Sequence, residues 1–115
     1  SKNPEDFLYH YRAEVLGMYD ADTVTLRIDL GMHVHIVEQV RLARIDAPEL
    51  RGKERPQGIP AREWLYERIM GEQVIICTDK DKSGKYGRYV VEIWHNGRNI
   101  SDALVEAGHA EYRDY

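Results

Sequence analysis

The sequence predicts a mainly β (α+β) fold with a few helices, and three observations support this prediction. Several short segments alternate apolar and polar residues, which is the period of a strand with one buried face. Their order is three strands, a helix, two strands and a helix, unlike the regular alternation of a parallel βαβ sheet. At 115 residues the chain is long enough for one core and too short for two. We therefore expect one domain over residues 1–115, built as a five-stranded barrel of the OB type.

The first part of the chain carries the first two candidate strands and the start of a third. Residues 8–18 have strand character with weak alternation, whereas residues 23–30 alternate cleanly. Gly31 allows a tight turn into a third strand that begins near Val34.

The third strand leads into residues 40–49, which read Val-Arg-Leu-Ala-Arg-Ile-Asp-Ala-Pro-Glu. The apolar phase slips over residues 37–40, which predicts a bulge or bend. Pro48 lacks an N–H donor and favours extended backbone before it, so the strand should end there. Strict pleating places Arg41 and Asp46 on opposite faces. They can meet only if the strand twists or if Asp46 lies beyond its regular part.

The second half of the chain predicts two more strands and two helices. The order is a polar loop, a helix, a strand, a charged loop, a strand and a short helix, at residues 50–59, 60–70, 74–78, 79–85, 86–94 and 99–107. Pro60 suits the first turn of the first helix, and Gly71 suits its end. Asn96-Gly97 is a strong hairpin signal, and the tail after residue 108 shows no periodicity.

The composition is typical of a folded globular chain rather than of a disordered or membrane-spanning one. Hydrophobic residues make up 43% of the sequence, and no apolar run is long enough to cross a bilayer. The first ten residues are polar, unlike a signal peptide, and a start at Ser1 is typical of a processed or excised fragment. Cys77 is the single cysteine, so no intrachain disulfide is expected.

The net charge of −4 weighs against nucleic-acid binding, but the charge is unevenly distributed. Residues 41–88 hold eleven Lys or Arg and eight Asp or Glu, a balance of +3, whereas the remainder carries −7. The middle of the chain can therefore present a basic face. A divalent cation bound there would add to its positive charge.

Carboxylates and basic residues are concentrated at three places in the chain. They are Asp20 and Asp22, then Arg41, Asp46 and Glu49, then the cluster Lys85-Tyr86-Gly87-Arg88. Carboxylates for a hard metal ion and arginines for a phosphate are the parts of a metal-assisted phosphodiesterase. Each also has an ordinary interpretation, because aspartates are common in turns and a strand arginine can form a salt bridge.

Histidines and tyrosines offer further candidates. His33 and His35 would lie on one face of a strand and can bind zinc, although no cysteine or clear third ligand lies near them. Tyr112 and Tyr115 can stack on a nucleobase or belong to a frayed tail.

Taken together, the motifs resemble the staphylococcal nuclease (thermonuclease) family. The resemblance covers about residues 12–112 and is carried by DADTVTL at 20–26, VRLARIDAPE at 40–49, KYGR at 85–88 and ALVEAG at 103–108. It implies an OB-fold barrel with two to three peripheral helices. It also implies a calcium-dependent endonuclease that hydrolyses DNA and RNA and leaves 3′-phosphate ends. A monomer, secreted or in the cell envelope, with no membrane partner, fits the same resemblance.

The resemblance also implies roles for individual residues. Calcium would be held by Asp22, Asp46 and the carbonyl of Ala47, catalysis would fall to Arg41, Glu49 and Arg88, and substrate would contact Lys85, Tyr86 and Tyr112. The arginines would grip the phosphate, and Glu49 would orient or deprotonate the attacking water. The chain departs from the family pattern at Ala21, in place of glycine, and at Ala47, in place of threonine. A main-chain carbonyl ligand should tolerate the second change.

Two other functions stay open. A non-catalytic nuclease-like OB-fold module that binds nucleic acid or protein would fit the acidic net charge, although the chain keeps the acidic set. A metal or nucleotide sensor would use His33 and His35.

Overall fold

The computed structural model describes residues 3–83 and 88–113, and of residues 79–83 it describes the backbone alone. Eight strands lie in this part of the chain: β1 (His10–Asp20), β2 (Thr23–Gly31), β3 (Val34–Leu42), β4 (Ile45–Asp46), β5 (Gln73–Ser83), β6 (Tyr89–His95), β7 (Arg98–Asn99) and β8 (Glu111–Tyr112). They are accompanied by the helices α1 (Arg55–Ile69) and α2 (Ile100–Glu106) and by 3₁₀ turns at Pro4–Phe7 and Gly52–Glu54. The mainly β fold is the one that the sequence predicts.

Five of the strands close into a mixed barrel. The order β3-β2-β1-β5-β6 is antiparallel throughout. The barrel closes where β3 and β6 run parallel, with Arg41 beside Val90 and Leu42 beside Val91; we call this junction the seam. The side chains buried inside include Val15, Leu26, Leu42, Ile76 and Ile93. These residues point inward because successive side chains of a strand alternate between its two faces. The closed barrel of five strands confirms the predicted OB-type fold.

The β2–β3 hairpin extends beyond the barrel. The two strands pair in unbroken register as far as Asp29, so no bulge lies over residues 37–40, where the sequence predicts a bulge or a bend. A shift of register lies instead at the hairpin tip, between Asp29 and Gly31. Residues 34–37 are exposed on both faces of β3. The alternation of apolar and polar residues is irregular there because neither face of that part of β3 is buried.

Helix α1 begins earlier than predicted, at Arg55 rather than Pro60. Residues 55–59, predicted as loop, form its beginning. Pro56 fills the first-turn position, where a missing N–H is harmless, and Pro60 lies inside the helix. The buried face of α1 carries Ala61, Leu65 and Ile69.

The remaining elements follow the sequence closely. β5 continues to Ser83, so part of the predicted charged loop is strand. The Asn96-Gly97 hairpin is confirmed, since both residues have positive φ and β6 pairs with β7 across them. Asn99 caps α2, with its side chain accepting a hydrogen bond from the N–H of Asp102. In residues 3–83 and 88–113, no helix is both long and apolar enough to cross a membrane.

Candidate functional site

Three of the predicted site residues meet beside the seam, around the guanidinium of Arg41. Its Nη1 lies 3.3 Å from Oδ2 of Asp22, and its Nη2 lies 3.3 Å from Oδ1 of Asp46. β3 ends at Leu42, and Arg44 adopts a left-handed φ of 68° before β4 begins. Asp46 therefore lies beyond the regular part of β3, which is one of the two geometries that the sequence allowed.

Asp22 is a buried carboxylate with fixed partners. Its side chain is 4% exposed. Oδ2 accepts a hydrogen bond from the N–H of Ala47 at 2.9 Å, and Oδ1 accepts one from the hydroxyl of Thr23 at 3.2 Å. Burial raises the pKa of Asp22 above its ordinary value, while the Ala47 N–H and the charge of Arg41 lower it by less. A further cation beside this desolvated anion would be stabilised.

We expect Asp22 to leave a signature in the pH dependence of stability. The folded state holds the Asp22 proton more tightly than the unfolded chain, so the stability that Asp22 contributes falls as pH rises from 3.8 through the raised folded pKa. Asp22→Asn removes this titration. The free energy of unfolding of the variant minus that of the wild type should therefore grow with pH across this window. Urea titrations with a chelator present measure it, and a constant difference would contradict the assignment.

The loop after Asp46 is bound to the turn between β1 and β2. Asp20 is buried and accepts a hydrogen bond from the N–H of Leu50 at 3.1 Å. Asp22 binds the N–H of Ala47, so the two aspartates hold both ends of the segment that carries Glu49. Glu49 is exposed and is therefore accessible to water.

Arg88 reaches the same corner of the barrel from the start of β6. It is partly buried, and its Nη1 lies 3.5 Å from the hydroxyl oxygen of Thr23. The hydroxyl of Thr23 also donates to Asp22, so Thr23 connects Arg88 to the Asp22 carboxylate. Lys85 and Tyr86 lie outside the described residues.

Tyr112 lies on β8, which pairs antiparallel with β4 and thus with the strand of Asp46. This pairing shows that the described part of the tail is not frayed. The Tyr112 hydroxyl donates to Oδ1 of Asp102 at 2.8 Å, and Arg44 lies 5.9 Å from the ring centroid. The bond to Asp102 raises the pKa of Tyr112. The hydroxyl therefore supports the β4–β8 pair, whereas the stacking role of Tyr112 stays a prediction; Tyr115 lies outside the described residues.

Arg113 contacts the site and was not predicted to do so. Its Nη1 lies 3.2 Å from Oδ2 of Asp46, the oxygen that Arg41 does not contact in its salt bridge. Its N–H donates to the carbonyl of Arg44 at 2.7 Å and so continues the β4–β8 pairing. Arg113 directly follows β8, which has two residues. Such a strand is too short to show a period.

The donor set fits a hard divalent cation. Asp22 and Asp46 bring carboxylates to one guanidinium, and Ala47, whose carbonyl is the third predicted ligand, is bound to Asp22 through its N–H. Oxygen ligands suit calcium and magnesium. Among the described residues, no three or more His, Cys, Asp or Glu side chains form a metal-binding group. The cation would complete its shell with the carbonyl, water and phosphate, which indicates weak binding.

The prediction that His33 and His35 lie on one face of a strand, where they could bind zinc, is wrong. His33 lies in the hairpin turn with φ of 62°, and β3 begins only at Val34. The two imidazoles therefore do not share a strand face.

Comparison with known proteins points to one family. A family model described as staphylococcal nuclease homologue matches residues 39–115, the range that contains Arg41, Asp46, Glu49 and Arg88. A probable staphylococcal-like nuclease, CAN3, of Oryza sativa subsp. japonica is 37% identical over 73 residues, which is 63% of this chain and 18% of that protein.

Two uncharacterized proteins match more of the chain at lower identity. MJ1439 of Methanocaldococcus jannaschii is 27% identical over 126 residues, covering 88% of this chain and 58% of that protein. The protein pXO1-141 of Bacillus anthracis is 28% identical over 102 residues, covering 85% of this chain and 45% of that protein. The chain thus spans no more than 58% of the length of these relatives.

Proposed function

Because the chain belongs to the staphylococcal nuclease homologue family, we propose that it is a calcium-dependent endonuclease that hydrolyses phosphodiester bonds of DNA and RNA and leaves 3′-phosphate ends. The observation that carries this proposal is the meeting of Asp22 and Asp46 on Arg41 beside the seam. Carboxylates suit a hard cation, and a planar guanidinium suits a phosphate.

In this proposal the carboxylates bind the cation and the arginines bind the phosphate. Asp22, Asp46 and the carbonyl of Ala47 would hold the cation, which when bound would polarise a phosphoryl oxygen and lower the pKa of nearby water. Arg41 presents a guanidinium already oriented by the two carboxylates. Arg88 adds a second guanidinium. Each arginine stabilises charge on the phosphate oxygens by about 3 to 4 kcal/mol, by analogy with oxyanion-hole donors.

Glu49 acts on the attacking water. Its exposed carboxylate is carried by a loop whose two ends are hydrogen-bonded to Asp20 and Asp22. These hydrogen bonds hold the backbone of the segment that carries Glu49 beside Asp22, which supports a role for Glu49 as general base.

Cleavage should depend on calcium. We expect the purified protein to cleave single-stranded DNA, duplex DNA and RNA with calcium in excess, to stop with a chelator and to recover when calcium is restored. The dissociation constant for calcium should be on the order of 10⁻⁴ M, as for weak extracellular modules with few protein charges. Magnesium in place of calcium tests the choice of metal, and end-group analysis tests for the 3′-phosphate. Absence of turnover with any metal, from a folded protein, would overturn the proposal.

The second candidate function is a non-catalytic binding module. One observation favours it: the charged groups of the site already have protein partners, since Asp46 lies between Arg41 and Arg113. Such a network can be purely structural. Binding of RNA in a chelator, without turnover when calcium is added, would establish this alternative.

A further inference from the structure

Helix α1 has a glycine where it meets the loop of Glu49. Gly58 is the fourth residue of α1 and is buried. A Cβ on Gly58 would lie 2.2 Å from the carbonyl oxygen of Glu49 and 2.6 Å from its carbonyl carbon. Real Cβ atoms do not approach a backbone so closely. The glycine is therefore required by the packing of the helix on the loop.

Helix propensity does not explain this glycine. Gly58 lies inside α1, outside the left-handed region that favours glycine, and glycine weakens a helix relative to alanine. Propensity alone therefore favours alanine here. The close approach to Glu49 is the feature that opposes it.

The same loop is held by hydrogen bonds on both of its sides. The N–H of Leu50 donates to Asp20 at 3.1 Å, and the carbonyl of Leu50 accepts from Nη1 of Arg55 at 2.8 Å. The N–H of Ala47 donates to Asp22 at 2.9 Å. The loop thus lies between the β1–β2 turn and the beginning of α1, with the Gly58 contact on the helix side.

We propose that Gly58 is a positioning residue for Glu49. The missing side chain lets α1 pack directly on the backbone of Glu49 and so sets the place of its carboxylate relative to the phosphate. This inference rests on the proposed function, because it concerns the group that acts on the attacking water. Any side chain at position 58 forces the helix and the loop apart.

Gly58→Ala tests the proposal. We expect kcat to fall by about 10²-fold, the size of effect that a displacement of about 1 Å produces, with KM and the calcium dissociation constant near those of the wild type. The matched control is Gly17→Ala, since a Cβ on Gly17 meets no atom within 4 Å. The control should keep the wild-type kcat. An unchanged kcat in Gly58→Ala would overturn the proposal.

A double variant separates positioning from general damage. If Gly58 acts through Glu49, then adding Gly58→Ala to Glu49→Gln should change kcat little further, because residues that act as a unit are not additive. Losses that multiply in the double variant would overturn the proposal.

Amide hydrogen exchange supplies a readout that does not require activity. The amide of Leu50, which lies next to the clash, should lose protection in Gly58→Ala and keep it in Gly17→Ala. Unchanged protection in a folded Gly58→Ala would overturn the proposal. Lost protection in a protein whose wild type never cleaves would support the packing role of Gly58 and reject the nuclease assignment instead.

Arg55→Ala keeps the test available if Gly58→Ala does not fold. The contact of Arg55 with the Leu50 carbonyl is exposed, so its removal should spare the core. We expect a smaller fall in kcat and a loss of protection at Leu50. Wild-type values of both would contradict the role given to this loop.

Discussion

Replacing Glu49 by glutamine should lower the rate of phosphodiester cleavage by about 10²- to 10⁴-fold, the range of a general base. Glutamine keeps the size of the side chain but cannot take a proton from water. The side chain of Glu49 is exposed, so the free energy of unfolding should change by less than about 0.5 kcal/mol. Single-turnover rates at saturating calcium, together with urea titrations, measure both effects.

The control for Glu49→Gln is Glu63→Gln. Glu63 is exposed on α1 and takes no part in the site. Both variants lose one negative charge, so the comparison cancels the change in net charge. If Glu49→Gln cleaves as fast as the control, Glu49 has no part in the mechanism and water activation falls to the cation.

Replacing Arg41 by lysine should lower the cleavage rate by about 10²- to 10³-fold, the effect of losing one oriented donor in a transition state. Unlike Glu49→Gln, it should also lower the free energy of unfolding, by about 1 to 3 kcal/mol, because a buried acceptor loses its partner. Arg41 binds Asp22 and Asp46 through two different nitrogens, and its side chain is only 16% exposed. A lysine ammonium is a single point charge that cannot span both carboxylates.

The control for Arg41→Lys is Arg44→Lys. Arg44 also joins two carboxylates, Glu92 at 2.6 Å and Asp102 at 2.9 Å, but on the outside of the barrel. We expect Arg44→Lys to lose some stability and to keep most of its rate. An equal loss of rate in the two variants would contradict a phosphate-binding role for Arg41 and indicate a general disturbance of the β3–β4 turn.

The barrel was predictable from sequence because its strands carry a strong local period. In β2, Val24, Leu26 and Ile28 are buried and alternate with less buried residues, so the pattern matches the core. The start of α1 was not predictable in the same way. Residues 55–57 are polar or proline and exposed, so they carry no apolar face, and both Pro56 and Pro60 suit a first turn.

The site was predictable in its members more than in its geometry. The motifs named Asp22, Arg41 and Asp46, and the structure brings these three together. The contact of Arg113 with Asp46 depends on a pair of two-residue strands, which leave no readable pattern. The packing of Gly58 on Glu49 was hidden because a glycine among polar residues is typical of a loop.

The position of the site beside the seam has a consequence for the order of folding. The seam joins β3 to β6 across the whole of α1 and β5, and Ala43 donates to the carbonyl of Val91 there at 2.8 Å. Contacts so distant in sequence carry a large entropy of closure and form after the local hairpins. Arg88, which lies next to β6, reaches the corner of Arg41 only when this long-range contact is made. Catalytic competence should therefore appear after the local hairpins have formed, so that recovery of cleavage reports closure of the barrel more strictly than recovery of secondary structure does.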